Sequence, residues 1–166
     1  MAQDRHHILV ICTGNTCRSP MAAKLLQHAL AGEKAPLDKI VVESAGVAAA
    51  PGEPASGNSV AALKKVNIDL SPHKSQPVTQ ALIDRARVIL GMTSSHLDAL
   101  HFHNVQNLPE HVHLFREFIN ATDGKNQIPD PFGQDFDTYQ QCLDAMVEAI
   151  PSLVAFIRKL YTERKT

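Results

Sequence analysis

The stretch from Ile8 to Pro20 constrains this chain more than any other. Ile8-Leu9-Val10-Ile11 is an unbroken, mostly β-branched apolar run, the pattern of a parallel strand buried on both faces. Directly behind it comes Cys12-Thr13-Gly14-Asn15-Thr16-Cys17-Arg18-Ser19-Pro20. From Ser19 the pattern turns helical, with Pro20 in the first turn and Met21, Leu25, Leu26, Ala29 and Leu30 forming an apolar stripe. A short turn from a strand into a helix can aim successive backbone N–H groups at one point. The helix N-terminus adds its partial positive charge, so the turn is a ready anion cradle. Gly14 and Asn15 are the residues expected to take the left-handed backbone that such a turn needs.

A cysteine at the mouth of this cradle has its thiolate, the form that attacks phosphorus, favoured by the N–H groups, the helix end and Arg18. Arg18 offers a planar fork of donors that matches two phosphoryl oxygens and stabilises the charge spreading over them in the transition state. Ser19 can donate a hydrogen bond to the Cys12 sulfur and make it a better leaving group. A Cys with Arg six positions later is weak as bare spacing. The preceding strand, the Gly-Asn pair and the Ser-Pro helix start supply the context that such a motif requires.

The rest of the chain alternates short apolar runs with helical patterns. Strands are expected at Ile40–Val42, Val88–Leu90 and Val112–Phe115. Helices are expected at Ser59–Val66, Thr79–Arg85 and Thr93–Leu100, the last opened by a Thr or Ser cap. Ala49–Gly57 and Ile128–Gly133 read as loops. A long helix is predicted from about Asp137 to Leu160, with a kink or break at Pro151. Strands alternating with helices imply a parallel sheet with both faces covered and right-handed crossovers. At 166 residues this is one domain, 1–166, with no repeat and no low-complexity stretch.

A net charge of −1 gives no reason to expect nucleic-acid or membrane binding, and the apolar run at 8–11 is too short for a signal-peptide core or a membrane span. Three cysteines, one of them the distant Cys142, do not make a secreted disulfide framework, so a reducing cytoplasm is expected. His96, His101, His103, His111 and His113 cluster in sequence, but their spacings fit no zinc pattern and they are read as surface residues, with no metal. Nothing in the sequence bears on oligomeric state. Neither nucleotide-binding glycine motif occurs.

The loop resembles the Cys-x5-Arg-Ser signature of the low-molecular-weight protein phosphatase family. Glu43-Ser44-Ala45-Gly46-Val47, Asp69-Leu70-Ser71-Pro72-His73-Lys74-Ser75 and Asp130-Pro131-Phe132-Gly133 resemble further family segments, in order along nearly the whole chain. The resemblance implies a four-stranded parallel sheet in a three-layer α/β/α sandwich, with Cys12 at the carboxyl end of the first strand, where such sheets bind ligands. It implies hydrolysis of phosphorylated protein side chains through a phosphocysteine, without a cofactor. Thr13, Gly14, Asn15, Thr16, Cys17, Arg18 and Ser19 would cradle the phosphate. Asn15, Ser19, Ser44 and His73 would brace the loop. For the general acid, residue chemistry leaves Asp123, Asp130, Asp135 and Asp137 open. The resemblance selects Asp130.

Tyrosine-directed members mostly carry Ile where this chain has Thr16, and often place two aromatics after Asp-Pro. Here Phe132 stands alone before Gly133. Thr16 is shorter than Ile and polar, which suits a guanidinium leaving group, and one aromatic can still pack on its face. Phosphoarginine is therefore the expected substrate, with phosphotyrosine the alternative and Thr16 and Phe132 the specificity residues. A reading of another class makes Cys12 and Cys17 a thiol redox pair, with Cys17 able to capture an oxidised Cys12. The additional mid-chain cysteines of arsenate reductases of this fold are absent.

Overall fold

The computed structural model describes residues 4–120 and 126–163. Strand β1 (His7–Cys12) carries the apolar run and is followed by helix α1 (Arg18–Ala31). Next come β2 (Val42–Gly46), α2 (Gly57–Lys64), α3 (Gln80–Arg85), β3 (Ala86–Gly91), α4 (Ser94–Phe102), β4 (His111–Leu114) and the long α5 (Phe136–Thr162). The four strands form one parallel sheet in the order β2-β1-β3-β4. The chain leaves β1 for β2 on one side and returns past it to β3 on the other. The point where the direction reverses is the carboxyl end of β1, at Cys12.

The β1 run is buried along its whole length because its side chains feed two cores. Ile8 and Val10 point with Val88 and Leu90 into a large cluster beneath α1, α2 and α5. Leu9 and Ile11 point with Ala45 and Ile89 into a second cluster under α3 and α4. Two-faced burial is what makes the run continuous rather than alternating. The three-layer α/β/α sandwich implied by the family resemblance is the architecture found.

Several element boundaries differ from the sequence reading. The second strand lies at Val42–Gly46, not Ile40–Val42. Its polar Glu43 and Ser44 masked it. They are tolerated because β2 is an edge strand and Arg85 grips the Glu43 carboxylate with a two-point fork (2.8 and 3.0 Å). Helix α2 starts at Gly57 because the Ser56 hydroxyl caps it, accepting from the Ser59 N–H at 3.3 Å. Thr79 caps α3 in the same way, and Thr93 is the N-cap residue of α4. Helix α5 does not break at Pro151 but runs through it. Pro151 and Val147, whose carbonyl it leaves unpaired, lie on the exposed side where water can serve that oxygen. Leu153, Val154 and Ile157 meanwhile continue the buried stripe. No helix among the described residues is long and apolar enough to cross a membrane.

Candidate active site

At the carboxyl end of β1, a cleft of about 210 Å3 is lined by Cys12, Thr13, Gly14, Thr16, Cys17, Arg18, Asp130 and Phe132. Asn15 and Ser19 are not among these lining residues. Both lie fully buried beneath the loop. Asn15 takes the left-handed conformation expected of it, with φ of 57°, whereas Gly14 does not. Only one residue of the turn needs that backbone, and Asn supplies it with a side chain that also works. Its Nδ2 donates to the Ser19 hydroxyl (2.8 Å) and the Ser44 hydroxyl (3.0 Å), and its Oδ1 accepts from the Gln76 N–H (2.9 Å). Its carbonyl accepts from His73 Nε2 at 2.7 Å. Burial holds His73 below the ordinary histidine pKa, against the opposing pull of that carbonyl, and the bond places a hydrogen on Nε2.

This network orients Ser19. Its oxygen already accepts from Asn15, so its own proton is free to point at Cys12 Sγ, 3.0 Å away. The outer part of the loop is tied to the segment after β2. Val47 and Ala48 N–H groups donate to the Cys12 and Thr13 carbonyls, and Ser56 N–H to the Thr16 carbonyl, each at 2.9 Å. Gly46 makes this approach possible. A Cβ there would lie 2.5 Å from the Thr13 carbonyl oxygen and 3.0 Å from the Asn15 nitrogen.

Arg18 is the first residue of α1 and is 4% exposed. Its Nη1 donates to the Ile128 carbonyl at 3.0 Å, and its Nη2 lies 3.7 Å from Asp130 Oδ2. Asp130 is half-exposed, and its Oδ1 accepts from the Phe132 N–H at 3.0 Å, closing a tight turn after Ile128. The loop is anchored by the Ile128 N–H donating to the Met92 carbonyl at 2.9 Å. Of the other carboxylates considered, Asp135 caps α5 by accepting from Thr138 and Asp137 is in the first turn of that helix. Neither lines the cleft. Asp123 lies outside the described residues. Phe132 stands at the rim, 72% exposed.

Cys17 Sγ faces the Tyr139 hydroxyl at 3.4 Å and Thr16 Oγ1 at 3.7 Å, and all three cysteines are free thiols. Burial pushes the Cys142 thiol up to about 11, and it sits against the Pro129 carbonyl of the Ile128–Gly133 loop, called the acid loop for Asp130.

The reading of the histidines as surface residues fails for His96, which is 3% exposed. Its Nε2 lies 3.1 Å from Thr13 Oγ1 and 3.4 Å from Arg18 Nη2, and its Nδ1 accepts from the Thr93 N–H at 3.2 Å. Its place at the third position of a Thr-capped helix was the available sign that the side chain turns back toward the cap. His101 and His103 are exposed. His111 and His113 are half-buried and pack edge-on against Phe156. Among the described residues no group of three or more His, Cys, Asp or Glu could hold a metal ion.

The low molecular weight phosphotyrosine protein phosphatase family matches this chain over residues 7–164. A protein-arginine-phosphatase of Geobacillus stearothermophilus is 38% identical over 162 residues, covering 96% of this chain and 99% of the relative. A low molecular weight protein-tyrosine-phosphatase of Staphylococcus epidermidis is 30% identical over 146 residues, covering 88% and 95%. Among solved structures, the YwlE arginine phosphatase of Geobacillus stearothermophilus superposes with a TM-score of 0.77 at 34% identity, covering 97% of this chain and 99% of that one. With the fold, the loop and these likenesses in agreement over nearly its whole length, the chain belongs to the low molecular weight phosphotyrosine protein phosphatase family.

Proposed function

We propose that this chain is a single-domain cytoplasmic enzyme, residues 1–166, that removes phosphate from phosphoarginine in proteins. The observation that carries the reading is one cleft lined by a cysteine, an arginine and a carboxylate, with Thr16 and a single aromatic, Phe132, at the leaving-group end. Cys12 Sγ attacks phosphorus in line with the P–N bond. That bond breaks as the Asp130 carboxylic acid gives its proton to the departing guanidine nitrogen. Arg18 and the loop N–H groups hold the phosphoryl oxygens throughout. Water then attacks the phosphocysteine, the Asp130 carboxylate takes its proton, and the sulfur departs as thiolate, accepting the Ser19 hydrogen bond. Phosphate is released with every proton accounted for, and no metal takes part.

Phosphotyrosine is the competing substrate, and it is the one named for the Staphylococcus relative. The hydroxyl of Thr16 and the space left by its missing methylene favour the guanidinium. Measurement of kcat/KM side by side on phosphoarginine and phosphotyrosine peptides decides between them. A clear preference for phosphoarginine is expected. Equal or better phosphotyrosine hydrolysis would leave a tyrosine phosphatase of the same mechanism.

Cys17 is the proposed resolving thiol for Cys12. Peroxide removes two electrons from the Cys12 thiolate to give a sulfenic acid. Cys17 attacks that sulfur and water leaves, forming a disulfide that a thiol reductant reopens. Cys17 must first turn from Tyr139, and mass spectrometry of the oxidised protein detects the product. Sulfinic acid on Cys12 with Cys17 untouched excludes the role.

A further inference from the structure

Histidine 96 lies 78 residues from Arg18 in sequence, yet it touches two members of the phosphate loop. Its contacts assign its protons. Nδ1 accepts from a backbone N–H, so the neutral ring carries its hydrogen on Nε2, and that hydrogen points to the Thr13 hydroxyl. Burial and the neighbouring Arg18 hold the ring far below the usual histidine range, at about 4, with the Asp130 carboxylate pulling weakly the other way. Among the described residues the charged groups that act on it are those two, one from α1 and one from the acid loop. Near neutral pH the imidazole is uncharged and can lie against a guanidinium without repelling it.

Arg18 needs such a neighbour. Its Nη1 is held by the Ile128 carbonyl, but the neighbours of its Nη2 among the described residues stand further off, Asp130 at 3.7 Å and His96 Nε2 at 3.4 Å. With the Nε2 proton committed to Thr13, the second contact is packing rather than a hydrogen bond. The buried ring packs against the buried guanidinium.

We propose that His96 is a positioning residue for phosphoryl transfer: anchored to the start of α4 by Thr93, it holds the Thr13 end of the loop and fixes the resting place of Arg18. This rests on the reading of Arg18 as the phosphoryl ligand. His96 is not itself a lining residue of the cleft but stands behind two that are, so it acts through Thr13 and Arg18. The ring has a near half, Nδ1, that serves the helix cap, and a far half, Nε2, that serves the loop. Asn and Gln separate them. The amide oxygen of Asn stands where Nδ1 stands and keeps the Thr93 contact, but nothing reaches Thr13 or Arg18. The amide nitrogen of Gln reaches the position of Nε2.

The experiment compares His96→Asn and His96→Gln with the wild-type enzyme in three readouts: kcat/KM on a phosphorylated substrate, the inhibition constant of inorganic phosphate, and Tm. We expect His96→Asn to weaken phosphate inhibition and to lower kcat/KM by about ten- to a hundred-fold, the scale of a small misplacement at a reacting centre. We expect His96→Gln to recover both to within about three-fold at a Tm no higher than that of His96→Asn. The inference is overturned if Asn retains activity while Gln loses it, since the cap alone would then matter. It is overturned equally if both retain activity, or if both lose it in proportion to Tm. A wild-type protein that neither binds phosphate nor hydrolyses the substrate would instead overturn the phosphatase reading on which the inference stands.

Discussion

The phosphate loop and the acid loop meet at Arg18 but are built on opposite plans. Cys12, Asn15, Arg18 and Ser19 are all buried, and Asn15 alone makes four hydrogen bonds, one to Ser19 within the loop and three to two other segments, at Ser44 and at His73 and Gln76. Asp130 and Phe132 are exposed, and within their loop a side chain meets the backbone mainly through the turn that Asp130 makes with Phe132. A phosphoryl group is the same in every substrate, so its cradle can be over-determined and rigid. The leaving group differs, and the elements that meet it can change without disturbing the core. Among the described residues, the hydrogen bond from Arg18 to the Ile128 carbonyl ties the two regions together, and in the proposed mechanism it would keep Asp130 in register with the phosphoryl group.

The largest effect expected is at the nucleophile. Cys12→Ser should abolish turnover while phosphate still binds, because the cradle of N–H groups and Arg18 remains. Full activity in that variant would remove the covalent mechanism. Asp130→Asn should lower kcat by about two to four orders of magnitude for leaving groups that must be protonated, and far less for those that need no proton. It should hardly move Tm, since the side chain is half-exposed. A uniform loss across leaving groups would make Asp130 a binding residue.

The sharpest contrast between the regions is one of stability. Asn15→Ala strips a buried network and forces a residue with a Cβ and no compensating side chain into a left-handed backbone. It should cost about 3 kcal/mol in denaturant unfolding and disorient Ser19. Phe132→Ala, on an exposed rim, should stay within about 0.5 kcal/mol of wild type. Similar costs for both would mean that the two loops are held equally firmly.

Thr16→Ile tests the open end. Ile adds bulk and removes the hydroxyl, while the cradle is untouched. The ratio of phosphoarginine to phosphotyrosine kcat/KM should fall about ten- to a hundred-fold, without collapse of both. An unchanged ratio would take away the steric argument for arginine.

The smallest effect concerns pH. His96 binds its proton in the unfolded chain near pH 6.5 but in the folded protein only at about 4. The unfolded state therefore binds more protons between those values. The stability contribution is fully present above about pH 6.5 and is lost as pH falls toward 4. From pH 7 to 6 the loss from this group should be roughly half to one kcal/mol. His73, also lowered by burial, contributes with the same sign. The pH slope of unfolding should be shallower in His96→Asn than in wild type, and an identical slope would mean the ring is not held neutral.

Much of this molecule was legible in the residues. The β1 run, the loop behind it, a helix start expected at Ser19 and found one residue earlier, and the order of elements follow from local pattern, because periodicity, Pro and Asn act over a few residues. Cys12, Arg18 and Asp130 could be named as candidates for the proposed chemistry, the last through resemblance to a family. Other features could not be read, and each depends on contacts between segments far apart in sequence. Strand β2 was misplaced because its Glu43 is neutralised by an Arg 42 residues away. Gly14 was expected to turn left-handed, but the backbone strain falls on Asn15 alone. Gly46 is needed only because the Thr13 carbonyl passes 2.5 Å from where its Cβ would be. His96 looked like one more surface histidine until α4 carried it against Arg18. Sequence by itself determined which groups could do the chemistry and in what order the elements come. Tertiary structure alone decided which groups meet, because burial and hydrogen bonding across the sheet are set by chain segments that no local pattern couples.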